Sequence, residues 1–393
     1  MNILFYCYGS ICEPFIEAAF SEAGFQVTKI TEEITNKQLL PSECVTLVSN
    51  ELLKKSYDFV FTINYYPSIS DTCNIFHIPY VGWTVDAPVM ELYSDTIQNP
   101  YNYIFLFDRM QYADIAPLNP GHIFYLPLAT DVSYWQSVIG NITNPTTYVN
   151  DISFVGSLYT EKCPYDKLKH PSESLAGYLD GILNAQVKIY GYDLIPELLT
   201  PSLIEGFKAC MPDYFSLKDA STLTDRDIIS KFYMASKVSS MERTRLLHAL
   251  SERLPVTIYT NSDTSKLTHL KNKGTVKTRT EMPLVFHGST INLNMTTHSI
   301  RSGIPLRIWD VLGCEGFLIS NYQAEIPEYF ILGEDIELYE SEEDLIYKCS
   351  YYLEHPSRAK EIAHNGFEKV KAHHTYLHRI LEMLEIVFAN RKA

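Results

Sequence analysis

Two arginines, Arg301 and Arg307, bracket a Ser-Gly-Ile-Pro turn in the run RSGIPLRIWDVLGCEGFLIS, residues 301 to 320. The run follows a strand-like stretch, STINLNM (289–295), and Pro305 is placed for the first turn of a helix. Unpaired backbone N–H groups at a helix entrance, with the positive end of its dipole, attract phosphate. Ser302, Gly303 and Ile304 stand at that entrance. The two arginines add charge-assisted, bidentate donors suited to a diphosphate. Asp310, three residues after Arg307, offers a carboxylate that can accept both hydroxyls of a ribose. The same spelling also fits an ordinary helix–strand unit whose arginines pair with Asp310 and Glu315.

Other residues invite chemistry. Asp86, in GWTVDAPV, and Asp108-Arg109, in FLFDR, each follow an apolar run and so fall at strand ends. Arg243 lies in the helical segment SSMERTRLLHALSERL, either near a bound anion or on a solvated face. Asp225-Arg226-Asp227 spells a DxD metal motif, but acidic residues at a helix start equally complement the dipole. His374 and His378 have ligand-like spacing with no third ligand in view, which favours a helix-surface role. No metal is expected.

These residues need a scaffold. The chain has 393 residues, 46% hydrophobic, which suits two globular domains. Lys plus Arg number 32 against 47 acidic residues, a net charge of −15 that argues against binding nucleic acid or anionic membrane. A polyanionic ligand would require a local cluster of positive charge. The eight cysteines form no CxxC pair and read as buried free thiols. The opening MNILFYCYGS lacks the basic region of a signal peptide, no apolar run reaches the ~20 residues of a membrane span, and the chain reads as cytoplasmic. The Asn-x-Thr sequons at Asn141 and Asn294 then read as chance matches.

Apolar runs at 2–8, 57–64, 78–84, 101–107 and 122–128 alternate with helix-length segments, the pattern of a buried parallel sheet. A Gly/Asn/Pro/Thr-rich stretch at 140–150 marks a linker. A second series follows: DISFVGS (151–157), QVKIYG (186–191), LPVTIYTN (254–261), STINLNM and EGFLISN (315–321). The expected organisation is an α/β fold of two Rossmann-like domains, 1–148 and 149–375, with a terminal helix at 376–393 and a ligand cleft between the halves.

The run RSGIPLRIWDVLGCEGFLISNYQAEIPEYF, with EDLIYKCSYYLEHPSRAKEIAHNGFEKVKAHHTYLHR after it, resembles the C-terminal domain of spore-maturation CgeB-like glycosyltransferases. VGWTVDAPVMELYSDTIQNPYNYIFLFDRMQYADI, HIFYLPLATD and DISFVGSLY resemble the N-terminal module found with that domain. The likeness runs from about residue 55 to 380 and is weakest at 160–240. It implies the GT-B fold and a metal-independent glycosyltransferase that takes a UDP-, GDP- or dTDP-sugar, UDP being the leading choice. The acceptor would be a glycan, a protein or a small molecule. By the same resemblance, Arg301 to Ile304 and Arg307 line the diphosphate, Asp310 holds the ribose, and Gln323, Ala324 and Glu325 face the sugar or phosphate, with Arg243 nearby. Gly9 and Ser10 lie in a loop facing acceptor and phosphates, although Gly9 also suits plain turn chemistry. Asp86 is the favoured base for the acceptor hydroxyl, with Asp108 in a similar position. Retaining relatives often carry a glutamate eight positions before the Asp310 site, where this chain has Ser302, so retention or inversion is not assigned. The competing readings are a non-catalytic GT-B-like binding module and a sugar-nucleotide epimerase.

Overall fold

The computed structural model describes residues 1–141, 145–217 and 222–390. Residues 142–144 of the expected linker (with Thr143 of the Asn141 sequon) and 391–393 of the terminal helix lie outside the described residues. The chain divides into two compact units: Met1–Ala129 with Leu217–Leu223 and His374–Ala393, and Thr130–Ser216 with Thr224–His373. Each is built on a six-stranded, wholly parallel sheet.

In the first unit, β1 (Asn2–Tyr6), β2 (Gln26–Ile30), β3 (Phe59–Ile63), β4 (Tyr80–Trp83), β5 (Asn102–Leu106) and β6 (Ile123–Tyr125) take the order β2-β1-β3-β4-β5-β6. Every residue of β3, β4 and β5 is buried, because helices cover both faces of the sheet. The order reverses between β1 and β3, which opens a crevice at their C-terminal ends. The helix Tyr376–Asn390 packs on the helix Glu13–Glu22: Tyr376 stacks on Phe15 with ring centroids 5.7 Å apart, and Arg379 Nε donates to the Pro127 carbonyl at 3.0 Å.

The second unit holds β7 (Asn150–Val155), β8 (Val256–Tyr259), β9 (Lys271–Asn272), β10 (Ser289–Asn294), β11 (Leu318–Asn321) and β12 (Glu337–Tyr339), in the order β12-β11-β10-β7-β8-β9. Its switch point lies between β7 and β10. Ile152, Phe154, Ile258, Ile291, Leu293 and Ile319 form the centre of its core. The helix Pro356–His373 crosses the helix Leu306–Gly313 closely, since a Cβ on Gly366 would lie 2.4 Å from the Asp335 carbonyl oxygen and 2.9 Å from Leu312.

Three details differ from the sequence reading. QVKIYG is a turn, not a strand: Gln186 ends the helix Glu173–Gln186, and its side chain bonds the Ile189 and Tyr192 carbonyls and the Leu194 N–H. Those bonds wrap the segment on itself, and the short β9 pairs with β8 instead. Pro305 caps the helix Leu306–Gly313 rather than opening its first turn. The chain leaves the first unit at Ala129, ahead of residue 148, because the helix Val132–Gly140 packs on the helix Met282–Gly288. All eight cysteines are free and all but Cys210 are buried. Among the described residues no helix is long and apolar enough to cross a membrane.

Candidate active site

In the second unit, the loops leaving β10 and β11 meet at the C-terminal ends of the strands. Thr296 N–H donates to Asn321 Oδ1 at 2.7 Å, which joins the two exits. Farther along, Ser302 Oγ donates to Glu325 Oε1 (2.7 Å), Glu325 N–H to the Ser302 carbonyl (3.2 Å), and Gln323 Nε2 to the Ile300 carbonyl (3.3 Å). Ser302, Gly303, Ile304, Gln323 and Glu325 are buried in this double loop, while Ala324 is exposed. Arg301 and Gln323 face a small pocket with Tyr190, Tyr192, Asp193 and His298. Its volume is about 40 Å³, room for roughly three water molecules and so of a size with a phosphate group.

Arg243 ties this region together. From the helix Ala235–Ser251 it donates to the Ser157 carbonyl beyond β7 and the Met295 carbonyl beyond β10, each at 2.6 Å. Burial pushes its pKa down, and its Nε is buried without a hydrogen-bond partner.

Arg307 and Asp310 lie apart from the Arg301 pocket. Arg307 stacks over Phe286 at 5.0 Å and donates to Met282 Sδ, with its pKa lowered by burial and supported by Asp310. Asp310 Oδ1 accepts from Thr130 Oγ1 at 2.9 Å, and Thr130 Oγ1 in turn accepts from Trp135 Nε1 at 2.7 Å. Burial raises the Asp310 carboxyl to about 6, against the opposing Arg307 charge and the Thr130 bond. A raised acid pKa means the native state holds a proton that the unfolded chain has released, so stability falls as pH rises from about 4 to 6 and then levels. Asp310→Asn removes this loss. Between pH 4 and 7 the stability of the variant should gain on the parent by roughly 3 kcal/mol at most, read as the difference in urea midpoints at the two pH values.

Two site groups escape the sequence reading. Glu242 is fully buried, and its Oε2 lies 2.9 Å from His298 Nε2, with the His298 N–H bonded to Ser239 Oγ at 2.9 Å. The sequence does carry a signal: Glu242 falls four residues after Val238 and four before Leu246, on the buried stripe of its helix. Asp193, the other group, has its pKa raised by burial and held back by Arg301 and His298. The turn that delivers it carries the strand-like spelling QVKIYG, which points away from a site residue.

In the first unit a pocket of about 800 Å³ opens at the crevice between β1 and β3, lined by Tyr8, Glu33, Asn64, Tyr66, Asp71 and Asp86 among others. Asp86 is exposed just beyond β4. Its Oδ2 accepts from Asn64 Nδ2 at 2.7 Å, while Asn64 Oδ1 accepts from the N–H groups of Val85 and Asp86. Asn64 sits at φ +61°, a left-handed conformation that asparagine tolerates. Burial, then the Asp86 charge, raise the Tyr8 phenol. The N–H groups of Tyr8, Gly9 and Ser10 all donate to Glu13 Oε1 at 2.8 to 3.0 Å, so this turn's amides are already occupied by a protein carboxylate. Gly9, at φ +95°, serves the turn. Asp108 is buried and caps the helix Arg109–Ile115 through the Gln111 N–H.

The DxD residues pair with lysines, Asp225 with Lys208 and Asp227 with Lys231. His378 bonds Thr375 Oγ1, and His374 bonds Arg379. Among the described residues no three His, Cys, Asp or Glu side chains are grouped to hold a metal ion.

Residues 243–385, which include Arg243, the Arg301 loop and Asp310, match the family described as glycosyl transferase-like. No curated protein matches the chain. Among solved structures, sucrose-phosphate synthase from Thermosynechococcus elongatus is similar at a TM-score of 0.60 and 9% identity, over 100% of this chain and 99% of that one. HepE from Anabaena, solved with UDP and glucose, is similar at 0.56 and 9%, over 99% and 100%. A glycosyltransferase from Rickettsia africae scores 0.52 at 11% identity, over 98% and 97%. The fold is GT-B. In this GT-B chain the family match falls within the second unit, apart from its last twelve residues, 374–385, which belong to the first.

Proposed function

We propose that the protein is a metal-independent glycosyltransferase that moves a sugar from a nucleoside diphosphate, UDP first among the candidates, to a hydroxyl-bearing acceptor. The observation that carries the reading is Arg301 beside a phosphate-sized pocket at the strand ends of the unit that matches the glycosyl transferase-like family. Support for UDP comes from HepE, which has the same fold and was solved with UDP and glucose. Arg301, with Ser302, Gly303 and Ile304 around it, would take the diphosphate, and Arg307 would add positive charge from the next helix. Gln323, Ala324 and Glu325 would meet the sugar, and Asp310 would serve the ribose. The acceptor, whether glycan, protein or small molecule, would sit in the first unit's pocket, with Gly9 and Ser10 next in the chain to its Tyr8 wall, while Asp108 stays with the helix it caps.

The chemistry is a displacement at the anomeric carbon. The acceptor oxygen bonds to that carbon, its proton passes to the Asp86 carboxylate, and the bond to the diphosphate breaks with its electrons on the leaving phosphate. Arginine charge stabilises that developing negative charge, the role a metal fills elsewhere.

A thermal-shift panel of UDP, GDP and dTDP with their common sugars, run with EDTA present, tests the reading. One ligand at a hundredfold excess over its Kd should add about 2.7 kcal/mol. Arg301→Ala should weaken that ligand at least tenfold, as expected for one lost charge-assisted contact of about 1.5–3 kcal/mol. No shift with any nucleotide would sink the transferase in favour of a non-catalytic module, and unchanged affinity in the variant would remove Arg301 from the site. Donor breakdown without any acceptor would instead point to an epimerase or hydrolase.

A further inference from the structure

A second cavity of the same unit, about 570 Å³, shares no lining residue with the Arg301 pocket. It lies between the end of the helix Glu173–Gln186, the outer face of the helix Ala235–Ser251 and the segment around Lys266. Its wall carries Lys188, Lys237, Arg245, His248 and Lys266, with hydroxyls from Ser240 and Thr244, and no aspartate or glutamate. Such a concentration of cations is notable in a chain of net charge −15, whose overall field repels anions.

Lys237, Arg245 and the His248 ring have carboxylate neighbours drawn from outside the wall. Lys237 pairs with Asp166 at 2.6 Å, Arg245 with Glu342 at 3.4 Å and His248 with Glu252 at 3.9 Å. Lys188 and Lys266 are exposed and have no ion-pair partner among the described residues. Exposed pairs contribute roughly 0–1 kcal/mol each, so a multivalent anion can exchange them at little cost. The cavity falls in the usual small-ligand range of roughly 300–1,000 Å³.

We propose that this cavity binds a small ligand bearing two or more phosphate- or sulfate-type charges, with Lys188 and Lys266 as its principal contacts and Arg245, Lys237 and the two hydroxyls completing the site. The assignment does not rest on the glycosyltransferase reading, since its residues are not those of the donor pocket.

Isothermal titration of the full chain with tripolyphosphate, and separately with sucrose octasulfate, tests it. The background is Arg301→Ala, which removes the arginine of the small pocket. One saturable site per chain is expected for at least one probe, and the tighter probe identifies the anion. Lys188→Glu/Lys266→Glu should weaken it at least tenfold, and raising salt from about 50 to 200 mM should weaken it further. Lys55→Glu/Lys271→Glu, the same charge change elsewhere on the surface, should cost less than threefold. No saturable binding of either probe, or equal losses in the two double variants, overturns the proposal. So does loss of UDP binding in Lys188→Glu/Lys266→Glu with Arg301 intact, because the cavity would then be the donor site itself. A thermal-shift failure with every nucleotide would leave this result standing, so the two readings fail separately.

Discussion

Asp86→Ala should lower turnover by about 10² to 10⁴ while leaving donor affinity within roughly twofold of the parent. The size of the loss follows from removing the group that accepts the acceptor's proton during attack. The selectivity follows from position: Asp86 belongs to the first unit's pocket, and the donor contacts proposed above all come from the second. Asn64 donates one bond to the carboxylate and accepts two from the Val85 and Asp86 backbone N–H groups, which alanine keeps, so the alanine variant should fold with the strand end intact. Product formation under donor saturation, together with donor affinity by calorimetry, separates the outcomes. Turnover within threefold of the parent would move the base elsewhere, and a matching fall in donor affinity would make Asp86 a structural residue.

The second large effect is on stability. Glycine to alanine inside a helix is ordinarily stabilising by about 0.5–1 kcal/mol. At Gly366 the sign should invert, because the new methyl would lie 2.4 Å from the Asp335 carbonyl oxygen and 2.9 Å from Leu312. Overpacking of this kind costs about 1–3 kcal/mol, which for a unit of this size lowers Tm by several degrees. The tighter contact is the Asp335 backbone, which cannot swing aside as the tip of the Leu312 side chain can. Gly181→Ala, in the helix Glu173–Gln186 with nothing within 4 Å of the added methyl, is the internal control and should gain stability. If both variants shift in the same direction, the close helix crossing does not control this region.

The sheets were legible because most of their strands are apolar on both faces. FVFTI and NYIFL are buried along their whole length, and a parallel sheet covered on both sides requires such runs. QVKIYG has the same composition yet makes a turn, since one glutamine side chain satisfies three backbone groups that a strand would have paired with neighbours. Composition does not encode that choice. The Arg301 loop could be located because strand exits are where such sheets bind ligands. Its partners could not: Glu242 reaches His298 across 56 residues, and the amides of Gly9 and Ser10 are taken by a Glu13 that reads as an ordinary first-turn acid. Asp310 was placed on the right helix, but only the packed structure puts Thr130 and Trp135 around it.

The Tyr376–Asn390 helix has a consequence for how the molecule is made. Its Tyr376 covers Phe15 and Trp83, so segments ahead of the whole second unit are sealed by one that follows it. The second unit is in effect an insertion within the first. At translation rates of about 5–20 residues per second, the first sheet, complete at Tyr125, waits roughly 13–53 s for the helix that ends at Asn390. During that interval the inserted unit can already be folding on its own core. A nascent chain should therefore be able to fold the second unit before the first receives its covering helix.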